Sequence, residues 1–444
     1  MKNTILTLLF LTFHYFSFAQ NELDNYIKIG LENNEVIKQY NFDINKSIWA
    51  LKEAKSLFYP TVTFNGNYTI ADGGRTVDFP IGDLLNPIYN SLNQITNSTS
   101  FPTVENQSIL LNPNNFYDVR IHTVMPLLNY EIIYNRRIKS QQNDFQKIEL
   151  EIYKRELVKE IKIGYFKYLQ TLEAIKIYEE ALKLTLENQR VNQSLFKNDK
   201  INRTAVLRSD NEVKRIEANL AEAKSNSKNA QSYFNFLLNQ SLDTEIKVQT
   251  IYENIPETIE IDNIQSREEL KKLNTITEIN SSLLKLTQSN WFPKLNAFID
   301  FGYQDFDFQI QQQSRYYFGG LALEWSIFSG NKNKFKLKQV EEDSKKINSQ
   351  TDNVKQQLQL QYEIAKNNWL AKIDIYKAEK NQTIAAKTFN EDISKLYKQG
   401  QAIYIELLDA QNQYINTLLN TNLAFYNTWI SYTELERANA SYNF

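Results

Sequence analysis

The side chains able to do chemistry are few, and the way they are grouped narrows what they can do. The chain has no cysteine and two histidines, so disulfides, thiolate nucleophiles and cysteine-ligated metals are excluded. His14 lies in an apolar leader, which leaves His122 alone to support any Ser-His-Asp hydrolase or metalloenzyme. No glycine loop of the phosphate-cradling kind occurs. What remains is charge. Glu406 and Asp409 stand three steps apart in a helical stretch and share one helix face. Tyr397 and Gly400 precede them, and Arg203 and Arg208 follow the corresponding break in the first half of the chain. A second set, Asp118, Arg120, His122, Lys294, Asp300 and Glu324, falls in alternating, strand-like segments. Grouped carboxylates attract cations, yet the same residues also suit an ordinary solvated surface. No enzyme and no cofactor are expected.

The elements that must position these residues are written in the proline distribution. No proline occurs between Pro126 and Pro256, or after Pro293. An interior proline costs a helix about 3 kcal/mol, so its exclusion permits uninterrupted helices over 130–196, 204–239, 331–398 and 403–437. At a rise of about 1.5 Å per residue the first would span about 100 Å. Ile161, Tyr165, Tyr168, Leu172, Ile175 and Leu182 form one apolar stripe, with Phe166 and Leu169 beginning a second. Val206, Ser209, Val213, Ile216, Leu220, Ala223, Ser227, Ala230, Phe234 and Leu237 alternate steps of three and four, as do Leu408, Gln411, Ile415, Leu418, Asn422, Phe425, Trp429 and Tyr432. These are coiled-coil seams. Short turns between long helices force antiparallel hairpins. The small and polar seam residues either permit close packing or border a hydrated space.

The plan occurs twice. Ser56-Leu57-Phe58-Tyr59-Pro60 recurs as Asn290-Trp291-Phe292-Pro293, and Phe196-Lys197-Asn198-Asp199 as Tyr397-Lys398-Gln399-Gly400. Each half holds a pair of alternating segments, at about 60–71 and 116–126, then at about 294–306 and 316–328. Val62, Phe64, Tyr68 and Ile70 oppose Thr61, Thr63, Asn65, Asn67 and Thr69. Tyr117, Val119, Ile121 and Met125 oppose Asp118, Arg120 and His122. In the second half Leu295, Ala297, Ile299, Phe301 and Tyr303 oppose Lys294, Asn296, Asp300 and Gln304, and Leu321, Leu323 and Trp325 oppose Glu324. This is the period of strands with one apolar face. Aromatic residues gather at the strand ends, as in the girdles of outer-membrane barrels. A soluble sandwich would alternate too, but no second sheet is available to cover the apolar face, so lipid is the economical cover. The segment 71–115, with four of the eight prolines, reads as an exposed loop.

The domain plan is therefore a signal peptide at 1–19, a first repeat at 20–239, an equatorial linker at 240–264 and a second repeat at 265–444. The apolar stretch from Ile5 to Phe18 ends at Ala19 in the manner of a cleaved secretory leader. Acidic residues slightly outnumber basic ones, 52 to 50, which argues against nucleic acid as a partner. No segment after the leader is apolar enough for a membrane helix. Four strands cannot close a transmembrane barrel, because open edges in lipid leave backbone groups unpaired. Several chains must share one barrel, with the helices forming a common wall below it. The competing expectation is a secreted coiled-coil scaffold without a pore.

At this point the chain resembles the TolC family of outer membrane efflux proteins, the outer membrane factors. The resemblance rests on the duplicated halves, on Trp325-Ser326-Ile327-Phe328-Ser329-Gly330 at the strand-to-helix junction, and on Tyr397-Lys398-Gln399-Gly400 followed by Glu406-Leu407-Leu408-Asp409-Ala410. It implies a homotrimer with a twelve-stranded β-barrel in outer membrane lipid, continued by a periplasmic α-helical barrel. It further implies a passive duct that docks a periplasmic adaptor and an inner-membrane pump of the RND or ABC class, in efflux or type I secretion. Carried over residue by residue, Glu406 and Asp409 become acidic groups ringing the periplasmic entrance, and Tyr397 and Gly400 part of its latch. The chain departs from the pattern at Ala402, Asp199 and Ala205, so Arg203 or Arg208 is the expected cationic partner of the latch. The cargo is not legible.

Overall fold

The computed structural model describes residues 22–248, 255 and 264–442. The expected leader and most of the expected linker lie outside these residues. The first repeat runs α1 (Glu22–Asn33), α2 (Glu35–Ser56), β1 (Thr61–Thr69), β2 (Thr76–Phe79), α3 (Ile81–Thr96), β3 (Gln107–Leu110), β4 (Phe116–Leu128), α4 (Tyr130–Lys197) and α5 (Arg203–Leu237). The second runs α6 (Glu268–Ser289), β5 (Lys294–Phe306), β6 (Arg315–Glu324), α7 (Lys332–Lys398) and α8 (Tyr404–Asn439). Two compact units divide the chain: a helical one from Met1–Ile48, Gln141–Ile279 and Asp343–Phe444, and a strand-bearing one from Trp49–Ser140 and Asn280–Glu342.

In the strand unit a four-stranded antiparallel sheet has the order β1-β4-β5-β6. The two hairpins, one from each repeat, join where β4 pairs with β5, placing His122 opposite Asp300 and Asp118 opposite Gln304. Strand alternation then sorts the side chains. One face carries Phe64, Ile121, Phe301, Tyr317 and Leu321, and it is bare: Phe64 is 74% and Tyr317 77% exposed. The other face carries the polar set, packed closely enough that Asp300 is only 3% exposed. β1 and β6 are the two edges.

Three expectations for this unit need correction. The segment 71–115 is not a plain loop: β2 and β3 pair antiparallel, and α3 packs on the chain that follows it. Asn86 and Asn93, seven residues apart and so on one helix face, each exchange two hydrogen bonds with the backbone, of Val104 and Phe101 respectively. Amide side chains that read as loop composition here fasten a helix. β4 continues beyond Pro126 to Leu128 by a register irregularity between Pro126 and Leu128, as expected where proline withholds a ladder donor. β6 ends at Glu324 rather than 328, and the Trp325 indole donates instead to the Trp291 carbonyl at 3.0 Å.

The helical unit is built on α4 (68 residues) and α7 (67 residues), with α5 (35) and α8 (36) returning along them. Its main core joins α1, α4 and α5: Tyr26, Tyr165 and Phe234 form a ring cluster with centroids 5.1–6.0 Å apart. Asn34 caps α2, its side-chain oxygen accepting from the backbone N–H of Val36 and Ile37. α8 differs from the single seam expected. Gln411 and Asn422 bond to α4, through Asn188 and the Gln170 carbonyl. A second stripe of Ala410, Thr417, Ala424, Thr428, Ser431 and Leu435 is also buried, and Thr417 and Thr428 meet α7 through Thr383 and the Lys372 carbonyl. One helix thus serves two partners, and small hydroxyl residues let the second approach.

A set of ion pairs ties α4, α6 and α8 together. Arg155 bonds Glu268 at 2.6 Å, Lys162 bonds Glu436 at 2.7 Å, and Glu269 receives both Arg267 at 2.9 Å and Arg437 at 2.7 Å. Burial alone would raise the Glu269 carboxyl, but the two guanidinium groups outweigh it and hold it down to about 2. A depressed carboxyl contributes stability above its unfolded pKa and loses it as pH falls through the folded one. Glu269→Gln is therefore expected to lower the melting temperature by a constant amount above about pH 4.5, the difference closing as pH falls toward 2. Parallel melting curves of both proteins across that range check it.

Candidate functional site

The two helix turns are built alike. After α4, Asp199 takes a left-handed conformation (φ 54) and the Lys200 N–H bonds back to the Leu195 carbonyl at 2.9 Å. After α7, Gly400 does the same (φ 74), with the Gln401 N–H on the Leu396 carbonyl at 2.9 Å. This is the αL close of a helix, for which glycine is the unstrained choice. Gly400→Ala should therefore destabilise by about 1 kcal/mol and Asp199→Gly stabilise by a similar, smaller amount. Chemical denaturation of both variants reads the opposite signs.

Beyond the turns, the helices restart with side-chain caps. Asn202 accepts from the Ala205 N–H at 3.2 Å. Glu406 accepts from the Ile403 N–H at 3.0 Å, so its carboxylate caps α8 and faces the positive end of the helix dipole. Asp409 is exposed one turn on. Tyr397 is half-buried and reaches not an arginine but Asn192 of α4, donating its hydroxyl to the Asn192 side-chain oxygen. Burial raises the Tyr397 hydroxyl above its usual range, so it remains a proton donor. Arg203 and Arg208 are exposed, and neither forms an ion pair within the chain among the described residues.

The polar contacts between the two hairpins bring together Tyr397 and Gln411, both named from the sequence, with partners that the sequence reading did not single out. Besides Tyr397 on Asn192, Asn188 donates to Gln411 at 2.6 Å and Arg215, held by Glu212, reaches Asn412. Asn192 is fully buried, and its Nδ2 has no partner among the described residues. The available signal was two asparagines four steps apart, Asn188 and Asn192, on a helix whose neighbouring stripes are apolar. Within one chain, the tie between the hairpins is thus made by a phenol, amides and the Arg215 guanidinium.

On the polar face of the sheet, Asp118 accepts from Arg120 at 2.9 Å and from the Tyr316 hydroxyl at 2.7 Å. His122 Nδ1 bonds Asp300. Lys294 pairs with Glu131 rather than with Glu324, its neighbour across the ladder. No cluster of three or more metal-ligating side chains occurs among the described residues.

The sheet thus has a bare apolar face and a hydrogen-bonded polar face, and in each repeat the chain runs on from it into a very long helical hairpin. The outer membrane efflux protein family model matches residues 264–440. CusC, a solved transmembrane channel, superposes with a TM-score of 0.76 at 13% identity, covering 94% of this chain and 91% of that one. The CmeC outer membrane channel of Campylobacter jejuni gives 0.74 at 14% identity, covering 94% and 85%. The open state of the MtrE outer membrane channel of Neisseria gonorrhoeae gives 0.73 at 14%, covering 94% and 88%. No curated protein matches the sequence. The chain has the TolC-like outer membrane channel fold, and its second repeat carries the outer membrane efflux protein signature.

Proposed function

We propose that this chain is one subunit of a homotrimeric exit duct in the cell outer membrane, passively conducting cargo delivered by a periplasmic adaptor and an inner-membrane RND or ABC pump. The observation that carries the reading is the sheet itself. A lone four-stranded sheet with two edges and a bare apolar face is unstable in water and unclosed in lipid, and three copies joined edge to edge remove both faults. Twelve strands then enclose the Asp118, Arg120, His122, Lys294, Asp300 and Glu324 face as a hydrated lumen. The helical hairpins extend the wall into the periplasm, and their tips converge on an entrance bordered by Glu406 and Asp409. Arg203 and Arg208, without an ion pair among the described residues, are available to acidic groups of a neighbouring copy. The carboxylates favour cations at the mouth.

Since the chain has no cysteine, single cysteines at Lys200 and Gln401 give clean crosslinking handles at the two turns. A trimer that conducts in planar bilayers, and whose turn cysteines capture a periplasmic adaptor in cells, is the expected result. A monomer that extracts without detergent and never conducts would instead identify a pore-less scaffold.

A further inference from the structure

The polar face of the sheet is not only polar. Four rings run across β4, β5 and β6 in unbroken contact: His122 lies 6.4 Å from Phe298, Phe298 meets Phe318 edge-on at 6.0 Å (79°), and Phe318 stacks on Tyr316 at 5.8 Å (17°). Both ends are fixed by carboxylates, since His122 bonds Asp300 and the Tyr316 hydroxyl donates to Asp118. Two glycines hold the rings down. A Cβ at Gly302 would come 2.9 Å from Tyr316 Cζ, and one at Gly320 would come 3.2 Å from Phe298 Cζ. The rings therefore occupy the space that side chains at those positions would fill, and they lie against the sheet instead of standing off it. Covering strand glycines in this way stabilises a sheet. Here it also turns ring faces, Phe318 half-exposed among them, toward the side of the sheet that carries the charges.

We propose that this strip is a contact site for planar aromatic cations passing through the duct. It rests on the duct reading, which makes this face the lumen. The charge balance selects the ligand class. Within the strip two carboxylates, Asp118 and Asp300, stand against one permanent cation, the Arg120 guanidinium, and the His122 imidazole, which adds positive charge only when protonated. Ring faces carry a negative quadrupole that attracts cations, and flat ligands stack on them. Anionic cargo gains neither term, and a bulky aliphatic cation keeps the attraction to the rings but cannot stack on them. Three copies around one lumen would offer three such strips.

The test uses the full-length protein in planar bilayers, with ethidium as a planar aromatic cation and tetrabutylammonium as an aliphatic one, each read as block of the channel current. Ethidium binding to the detergent-solubilised protein, followed by its fluorescence, runs alongside. Phe298→Leu and Phe318→Leu keep apolar bulk and remove the ring, and Phe301→Leu on the opposite face is the control. Ethidium should block the native channel and bind it in detergent, and each strip variant should weaken both by about tenfold. The control variant should not change, and the tetrabutylammonium response should fall by less than the ethidium response in each strip variant. Equal ethidium block in native and strip variants, or equal block by both cations, overturns the site while leaving the duct intact. A native protein that neither conducts nor forms trimers overturns the duct reading and the site with it.

Discussion

Tyr397→Phe should raise the resting conductance of the reconstituted channel by about tenfold while leaving the trimer intact. The Tyr397 hydroxyl is the hydrogen-bond donor to a side chain with no access to water: Asn192 is 0% exposed, and its Nδ2 is already without a partner among the described residues. Removing the hydroxyl strands the side-chain oxygen as well, leaving a buried amide with neither group satisfied. An unsatisfied buried polar group costs about 1–3 kcal/mol. If the tips separate on opening, Asn192 becomes hydrated and the cost falls on the closed state alone. A difference of about 1.4 kcal/mol is a factor of ten in the populations. Adding Asn188→Leu, which removes the 2.6 Å bond to Gln411, should increase the conductance further. A Tyr397→Phe channel with native conductance and native thermal stability would mean that this contact does not hold the entrance shut.

Phe301→Arg should abolish recovery of the chain as a membrane trimer. Phe301 sits mid-strand in β5, 54% exposed on the apolar face. An arginine on the lipid face near the bilayer midplane costs about 2–4 kcal/mol, and the trimer would carry three. Asn67→Arg is the matched control: it places the same charge on the other face, opposite Asp118, where water and a carboxylate receive it. The yield of detergent-extracted trimer, compared with total protein, reads the difference. Equal yields, or greater damage from Asn67→Arg, would remove the assignment of the two faces on which the duct depends.

The strand faces were legible because alternation is a local rule: once Val62, Phe64, Ile121 and Phe301 are in strands, their common side follows from a period of two. The long helices were equally open to reading, since proline exclusion and three-four spacing act within one segment. The missed elements fail for one reason. α3 looked like loop because Asn86 and Asn93 are helix-indifferent, and their value lies in the backbone of Val104 and Phe101, which composition does not bring into view. The second seam of α8 was hidden because alanine, serine and threonine carry little hydropathic signal, although they allow close approach to α7.

The sequence by itself determined the repeat, the strand alternation, the helix lengths and the two turns, down to an aspartate standing where its repeat mate is a glycine. Only the tertiary structure decided which polar side chains meet: Tyr397 with Asn192, Lys294 with Glu131, and four rings laid over glycines on the charged face. Periodicity is set by backbone geometry within a segment and is therefore printed in the chain. Pairing joins residues more than two hundred positions apart, and depends on strand register and helix phase that only the folded core fixes.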